Sequence, residues 1–419
     1  MKINEIMNDL LSESYYEIEH DSGLKIMVYP KAGYSSTYAV FGTNYGSIDA
    51  DGIPNGTAHF LEHKLFESEE LDAFELFAKT GAQANAYTSF DRTCYLFNCG
   101  ANFAENLKIL INFVQHPYFT QETVEKEQGI IGQEIRMYQD EPNWQVMFNL
   151  LRIAYQKHPV RIDIAGTCET IAEITADCLY DCYHKFYNLQ NMALACVGNT
   201  TVEEVLKVVD ETLENTPEVS GELRRDLLEP YEVGETYIEE KMAVAMPLFC
   251  FGFKEDVSKD PIGRTSLKEK ILTSILLDTI FGETTEFYNE LLSEGLISPS
   301  FCTEYFEGPG YRMTLFSGDS REPQKVAEAV KNRIVEVKKN GLDPVEFERV
   351  RRAHYGRAIM AYNDVDGLAN DLILSHFENS KLFDDIDIYK NITIDDATER
   401  LAEEFDVDNF AMSVVLPKE

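Results

Sequence analysis

The sequence predicts an α+β protein built from two homologous halves, each a mostly antiparallel sheet covered by helices. The first observation behind this is a repeat: residues 174–197 (ITADCLYDCYHKFYNLQNMALACV) align without gaps on 392–415 (ITIDDATERLAEEFDVDNFAMSVV), with six identities and a shift of 218 positions. A shift of half the chain is what duplication leaves behind. The second is that strand-like and helix-like segments mix without the regular alternation of a parallel α/β sheet. The third is length, since 419 residues exceed one ordinary core.

Taken in order, the first half has strand patterning over 15–30 and 37–47, then helical spacing over 56–67 and 73–80. A strand over 87–97 follows the turn at Gly81, and helices over 104–115, 122–139 and 172–186 complete that half. The second half opens with strand-like sequence over 236–254 and continues with helices over 267–281, 286–294, 323–340 and 344–362. Two prolines, two glycines and dense charge interrupt the periodicity over 216–235. The halves are therefore expected at 1–220 and 236–419, with a linker at 221–235.

Charge and cysteine usage narrow the function. With 37 Lys+Arg against 73 Asp+Glu, the net charge of -36 argues against nucleic-acid binding, which depends on cationic side chains, and favours basic partners or substrates. No apolar run approaches a membrane span and the N-terminal stretch has no signal-peptide pattern, so a cytoplasmic protein without a membrane partner is expected. The eight cysteines form no C-x-x-C pair and read as reduced thiols.

The chemistry is concentrated in His59-Phe60-Leu61-Glu62-His63, an H-x-x-E-H pattern inside the helical stretch GTAHFLEHKLFES. At about 100° per residue, His63 lies about 40° round the helix from His59 and Glu62 about 60° round on the other side, so all three share a face. One ion can then meet both imidazoles, and with a third protein ligand zinc keeps a position for water, whose proton Glu62 can take. The third ligand is to be sought in EKEQGIIGQEIRMYQDEP, among Glu125, Glu127, Glu134 and Glu141. Glu127 and Glu134, seven residues apart, share a face of a helix that Ile130, Ile131, Ile135 and Met137 mark as packed.

These segments, with GAQANAYTSFDRTCYLF, HPVRIDIAGT and FYNLQNMALACVGN, resemble in order the zinc-bearing half of the pitrilysin/insulinase family of metallopeptidases, to which the mitochondrial processing peptidases belong; in detail the chain looks like the YmfH-type bacterial members. The resemblance spans about residues 20–419 and is weaker in the second half. It implies that His59, His63 and Glu134 bind zinc, that Glu62 is the general base and that Glu127 supports the site. It also implies that Asn85 and Ala86, in the edge strand beside the metal, contact an extended peptide through its main chain. Tyr87 and Tyr95 read as ordinary buried strand residues.

The second half departs from the family pattern. Where members that cleave alone or within one dimer carry R-E-x-x-G-L-x-Y, with substrate-anchoring Arg and Tyr, this chain has Leu291 and Ser298 in those places, and pattern alignment puts Arg357 near the counterpart of Glu134. The expectation is a zinc endopeptidase for unstructured peptides, acting in an enclosed chamber as the metal-bearing subunit beside a motif-free family member that supplies the anchors. A homodimer, a non-catalytic assembly subunit and a dedicated precursor-peptide maturase are the alternatives.

Overall fold

The computed structural model describes residues 1–49, 52–69, 72–215, 229–257 and 264–418, so positions 221–228 of the expected linker lie outside the described residues. Strands β1 (Lys2–Asn8), β2 (Glu13–Glu19), β3 (Lys25–Pro30), β4 (Thr37–Thr43), β5 (Gln83–Thr88), β6 (Thr93–Cys99) and β7 (Met192–Gly198) form one sheet in the order β1-β2-β3-β7-β4-β6-β5. Strands β8 (Tyr237–Met242), β9 (Leu248–Lys254), β10 (Cys302–Gly308), β11 (Tyr311–Asp319) and β12 (Phe410–Pro417) form the other in the order β10-β11-β9-β12-β8. Each sheet is antiparallel except for one pair, β3 with β7 and β8 with β12. Among the described residues no helix is long and apolar enough to cross a membrane.

Duplication is written into this topology. β3-β7-β4-β6-β5 and β8-β12-β9-β11-β10 are the same five-strand order. The 218-residue shift superposes the helix Ala176–Phe186 on Ile394–Glu404 and the start of β7 on that of β12. Thr175 and Thr393 cap the two helices in the same way, each accepting a backbone N–H three residues on.

The compact units nevertheless do not divide the chain at a single point. One comprises 1–135, 164–223 and 360–383, the other 136–163, 224–359 and 384–419. Helix Pro142–Ala154 buries Val146, Leu150 and Leu151 and packs against β12, β9 and β8, the sheet of the later half. Helix Val365–Phe377 buries Leu368, Leu372 and Ile373 and packs against β7 and β4, the sheet of the earlier one. These helices are counterparts: each follows a long helix, and acidic caps at Glu141 and Asp364 accept the N–H two residues on. Each half thus lends the other one helix.

The end of the lent helix Pro142–Ala154 is fixed by buried charge. Glu229 accepts the N–H groups of Gln156 (2.7 Å), Lys157 (2.8 Å) and His158 (2.7 Å). Lys254 donates to Glu229 (2.7 Å) and to the carbonyls of Ala154 (3.0 Å) and Pro230 (2.8 Å). His158 Nδ1 accepts the Val160 N–H at 3.0 Å while Nε2 donates to the Pro309 carbonyl at 2.9 Å, a pattern only the neutral ring can make. Removing one member of such a buried pair leaves the other charge uncompensated, so Lys254→Met should lower the unfolding free energy by about 3–5 kcal/mol in denaturant titrations. Burial holds the His158 pKa down to about 4. Because this lies below the unfolded value of about 6.5, the unfolded chain binds more protons between those limits. The His158 contribution is complete above pH 6.5 and is lost as pH falls toward 4, by about 3 kcal/mol at the limit. Unfolding curves of wild type and His158→Gln at pH 7 and pH 5 should show a smaller acid-induced loss in the variant; equal losses would contradict this.

Candidate metal centre and active site

The H-x-x-E-H pattern lies on the helix Thr57–Leu65, whose Phe60, Leu61 and Leu65 are buried in the core while His59, Glu62 and His63 form another face. The helix begins at Gly56 with φ of 93°, and a Cβ there would stand 2.4 Å from the Ala165 carbonyl oxygen. Gly166, at φ of 73°, meets the Asn55 carbonyl equally closely. The Ala-Gly-Thr of HPVRIDIAGT therefore serves as the backbone against which the motif helix starts, a contact only glycine permits.

The helix Gln121–Gln139 brings the acids. Val124, Glu127, Ile131 and Ile135 form its buried stripe, whereas Ile130 and Met137, expected inside, are 46% and 58% exposed. Glu125 is exposed and bonds Gln121, and Glu141 caps the next helix, which leaves Glu127 and Glu134 at the histidines. Glu127 Oε1 is 2.9 Å from His63 Nδ1, fixing that ring with Nε2 free to ligate. His63 Nε2 is 3.5 Å from one Glu134 oxygen and His59 Nε2 is 3.8 Å from the other.

A divalent ion fits this set. One ligand atom from each of His59, His63 and Glu134 lies within 4.8 Å of the others, and the 3.8 and 3.5 Å separations from the imidazoles to Glu134 come near the roughly 3.3 Å between two tetrahedral donors about 2 Å from one ion. His59 Nδ1 is buried without a hydrogen-bond partner. Burial lowers the His59 pKa to about 4, helped by the neighbouring His63. Burial opposes charge on His63 too, but its bonds to Glu127 and Glu134 outweigh this and raise it to about 10. Glu127 on Nδ1 and Glu134 near Nε2 therefore favour positive charge at this position. Burial raises the Glu62 carboxyl, against the pull of His63 and of a hydrogen bond from Thr88.

Sequence reasoning assigned Thr88 no role, although it lies in the quoted GAQANAYTSFDRTCYLF; its Oγ1 donates to Glu62 Oε2 at 2.9 Å. β5 is an edge strand of the sheet, bonded among the described residues to β6 alone, and packs against the motif helix. Asn85 is exposed there, its Oδ1 accepting the Ala86 N–H at 2.9 Å. An open edge of this kind can accept one more strand. Tyr95 is fully buried and bonds Tyr187, as an ordinary core residue does.

The later half offers no second centre: among the described residues His59, His63 and Glu134 are the only group placed to hold a metal. Arg357, on the helix Pro344–Ala361, bonds Asp278 at 3.0 Å, and His354 bonds the same carboxylate at 2.7 Å. Leu291 is buried in the core, and Ser298 is bonded to Ser300 and Asp319.

Comparison with known proteins gives this geometry its context. Residues 30–168 match the model of the insulinase family (peptidase family M16), and residues 173–353 match the M16 inactive domain. The chain is 38% identical to the Bacillus subtilis (strain 168) protein named "Uncharacterized zinc protease YmfH", over 99% of this chain and 100% of that one. It is 30% identical to the "Probable mitochondrial-processing peptidase subunit beta" of Schizosaccharomyces pombe over 42% of this chain and 40% of that one. The crystal structure of an M16-like peptidase from Alicyclobacillus acidocaldarius superposes with a TM-score of 0.90 at 32% identity, covering 100% of this chain and 99% of the other. With the inverted H-x-x-E-H helix and its distant glutamate folded together on this scaffold, the chain belongs to the M16 (insulinase) peptidase family.

Proposed function

We propose that this protein is a zinc-dependent endopeptidase hydrolysing unstructured peptides, and that Glu62 is its general base. The convergence of His59, His63 and Glu134 with Glu62 on the same helix face supports this reading most directly. Those three residues would hold Zn²⁺, which when bound would supply Lewis acidity and lower the pKa of water toward neutrality. Glu62, its proton affinity raised by burial, accepts a proton from water and passes it to the leaving amine nitrogen. Glu127 orients His63 through the 2.9 Å bond to Nδ1. The edge of β5, at Asn85 and Ala86, holds the peptide as an added strand, which selects extended substrates with little regard to side chains.

The reading extends to assembly and location. With Leu291 and Ser298 in place of anchors, the chain works as the metal-bearing subunit beside a motif-free family member that supplies Arg and Tyr, the two enclosing a chamber, in the cytoplasm where its eight free thiols stay reduced.

Glu62→Gln should keep zinc at the wild-type level by elemental analysis while peptide cleavage falls at least about a hundredfold. Glu134→Gln should lose both, and Glu127→Gln should weaken zinc affinity about ten- to hundredfold. A Glu62→Gln protein cleaving at the native rate would exclude the assigned base. The isolated chain should cleave an unstructured peptide slowly and gain rate when a motif-free M16 chain from the same cell is added; full activity alone would exclude the two-chain reading.

A further inference from the structure

The base must be aimed as well as present, and the structure contains a device for this. Glu62 stands on a helix that fixes its Cα, but three rotatable bonds separate its carboxylate from the backbone. One oxygen, Oε2, is held by Thr88 Oγ1 at 2.9 Å. We propose that Thr88 is a positioning residue for the reaction: its hydroxyl locks the Glu62 carboxylate in one orientation and leaves Oε1 to take the proton. This rests on the base assignment made above for Glu62.

Thr88 can do this because it is itself immobilised. It is the last residue of β5, opposite Thr93 on β6. The intervening turn closes with a bond from Ser89 N to the Arg92 carbonyl at 2.8 Å. Two further main-chain bonds tie that turn to a second loop, Ser47 N to the Ser89 carbonyl at 3.1 Å and Ile48 N to the Phe90 carbonyl at 2.9 Å. At Gly46 the two loops approach so closely that a Cβ would lie 2.5 Å from the backbone of Phe90 and Asp91. Thr93 Oγ1 anchors the other side by donating to the Tyr45 carbonyl at 2.9 Å. The hydroxyl therefore projects from a pinned hairpin.

Strand alternation places Ala84, Ala86 and Thr88 on one face of β5. The two alanines pack against the core, small enough for the motif helix to lie close. The strand that would pair with a substrate backbone at Asn85 and Ala86 is thus continuous with the residue that aims the base. A peptide registered on β5 is registered against the Glu62 carboxylate by the same rigid piece of chain.

The test is the pair Thr88→Val, which keeps shape and deletes the hydroxyl, and Thr88→Ser, which keeps the hydroxyl, each measured in the active assembly with an unstructured fluorogenic peptide. Thr88→Val should lower kcat roughly ten- to hundredfold, the range for a hydrogen bond to a charged group, with KM within about twofold and zinc content unchanged. Thr88→Ser should restore kcat to within about twofold of wild type. High-resolution crystal structures of the metal-free variants provide a readout independent of turnover: the Glu62 carboxylate should leave its place in Thr88→Val and keep it in Thr88→Ser. A Thr88→Val enzyme with native kcat, or one whose Glu62 is unmoved, overturns the proposal, as does a Thr88→Ser enzyme equally impaired and depleted of zinc. Glu62→Gln separates the two claims. If it is inactive while Thr88→Val is not, only Thr88 is wrong; if it cleaves normally, the base assignment itself fails.

Discussion

Three carboxylates and two imidazoles share one corner of this protein, where Glu127 stands 2.9 Å and Glu134 3.5 Å from the two nitrogens of His63, a concentration of acidic groups that favours a cation among them. A divalent ion would meet that demand from the centre of the group. The rest of the site follows from this requirement. Glu127 bonds His63 Nδ1 and leaves Nε2 toward Glu134, and Thr88 donates to Glu62, the carboxylate placed neither on the ion nor on an imidazole.

Two features of the fold keep that corner rigid. The motif helix starts against the Ala165–Gly166 backbone with no room for a side chain, which fixes its axial position, and the strand β5 beside it ends in a hairpin pinned to the Gly46 loop. The helix lent by the later half covers the same sheet, where Tyr87 on β5 donates to Asn370 at 2.8 Å. Duplication supplied two such scaffolds. In the later one Asp278 is bonded by His354 and Arg357.

How much of this was legible in the sequence depended on how local each signal is. His59, Glu62 and His63 could be placed together because helix geometry alone relates them, and the 218-residue repeat returned as equivalent helices and strands. Glu127 and Glu134 could not be ranked by spacing, since they share a face; their roles follow from which end of each carboxylate meets which imidazole nitrogen. Ile130 and Met137 misled because the helix turns them outward. The helices Pro142–Ala154 and Val365–Phe377 went unread because each follows a long helix after a very short break, and the surface that buries it belongs to the other half. The β5–β6 hairpin read as one strand because its turn, Ser89 to Arg92, contains neither glycine nor proline and is held by contacts from residues 46–48. β10 and β11 were missed despite the Gly308-Pro309-Gly310 turn between them.

The central claim is that one divalent ion sits among His59, His63 and Glu134. Anomalous diffraction at the zinc edge, on crystals of the full chain loaded with one equivalent of zinc, tests it most directly. The account requires a single strong peak bounded by those three side chains. Zinc bound elsewhere, or crystals without a peak in which the three residues keep their places, would contradict it.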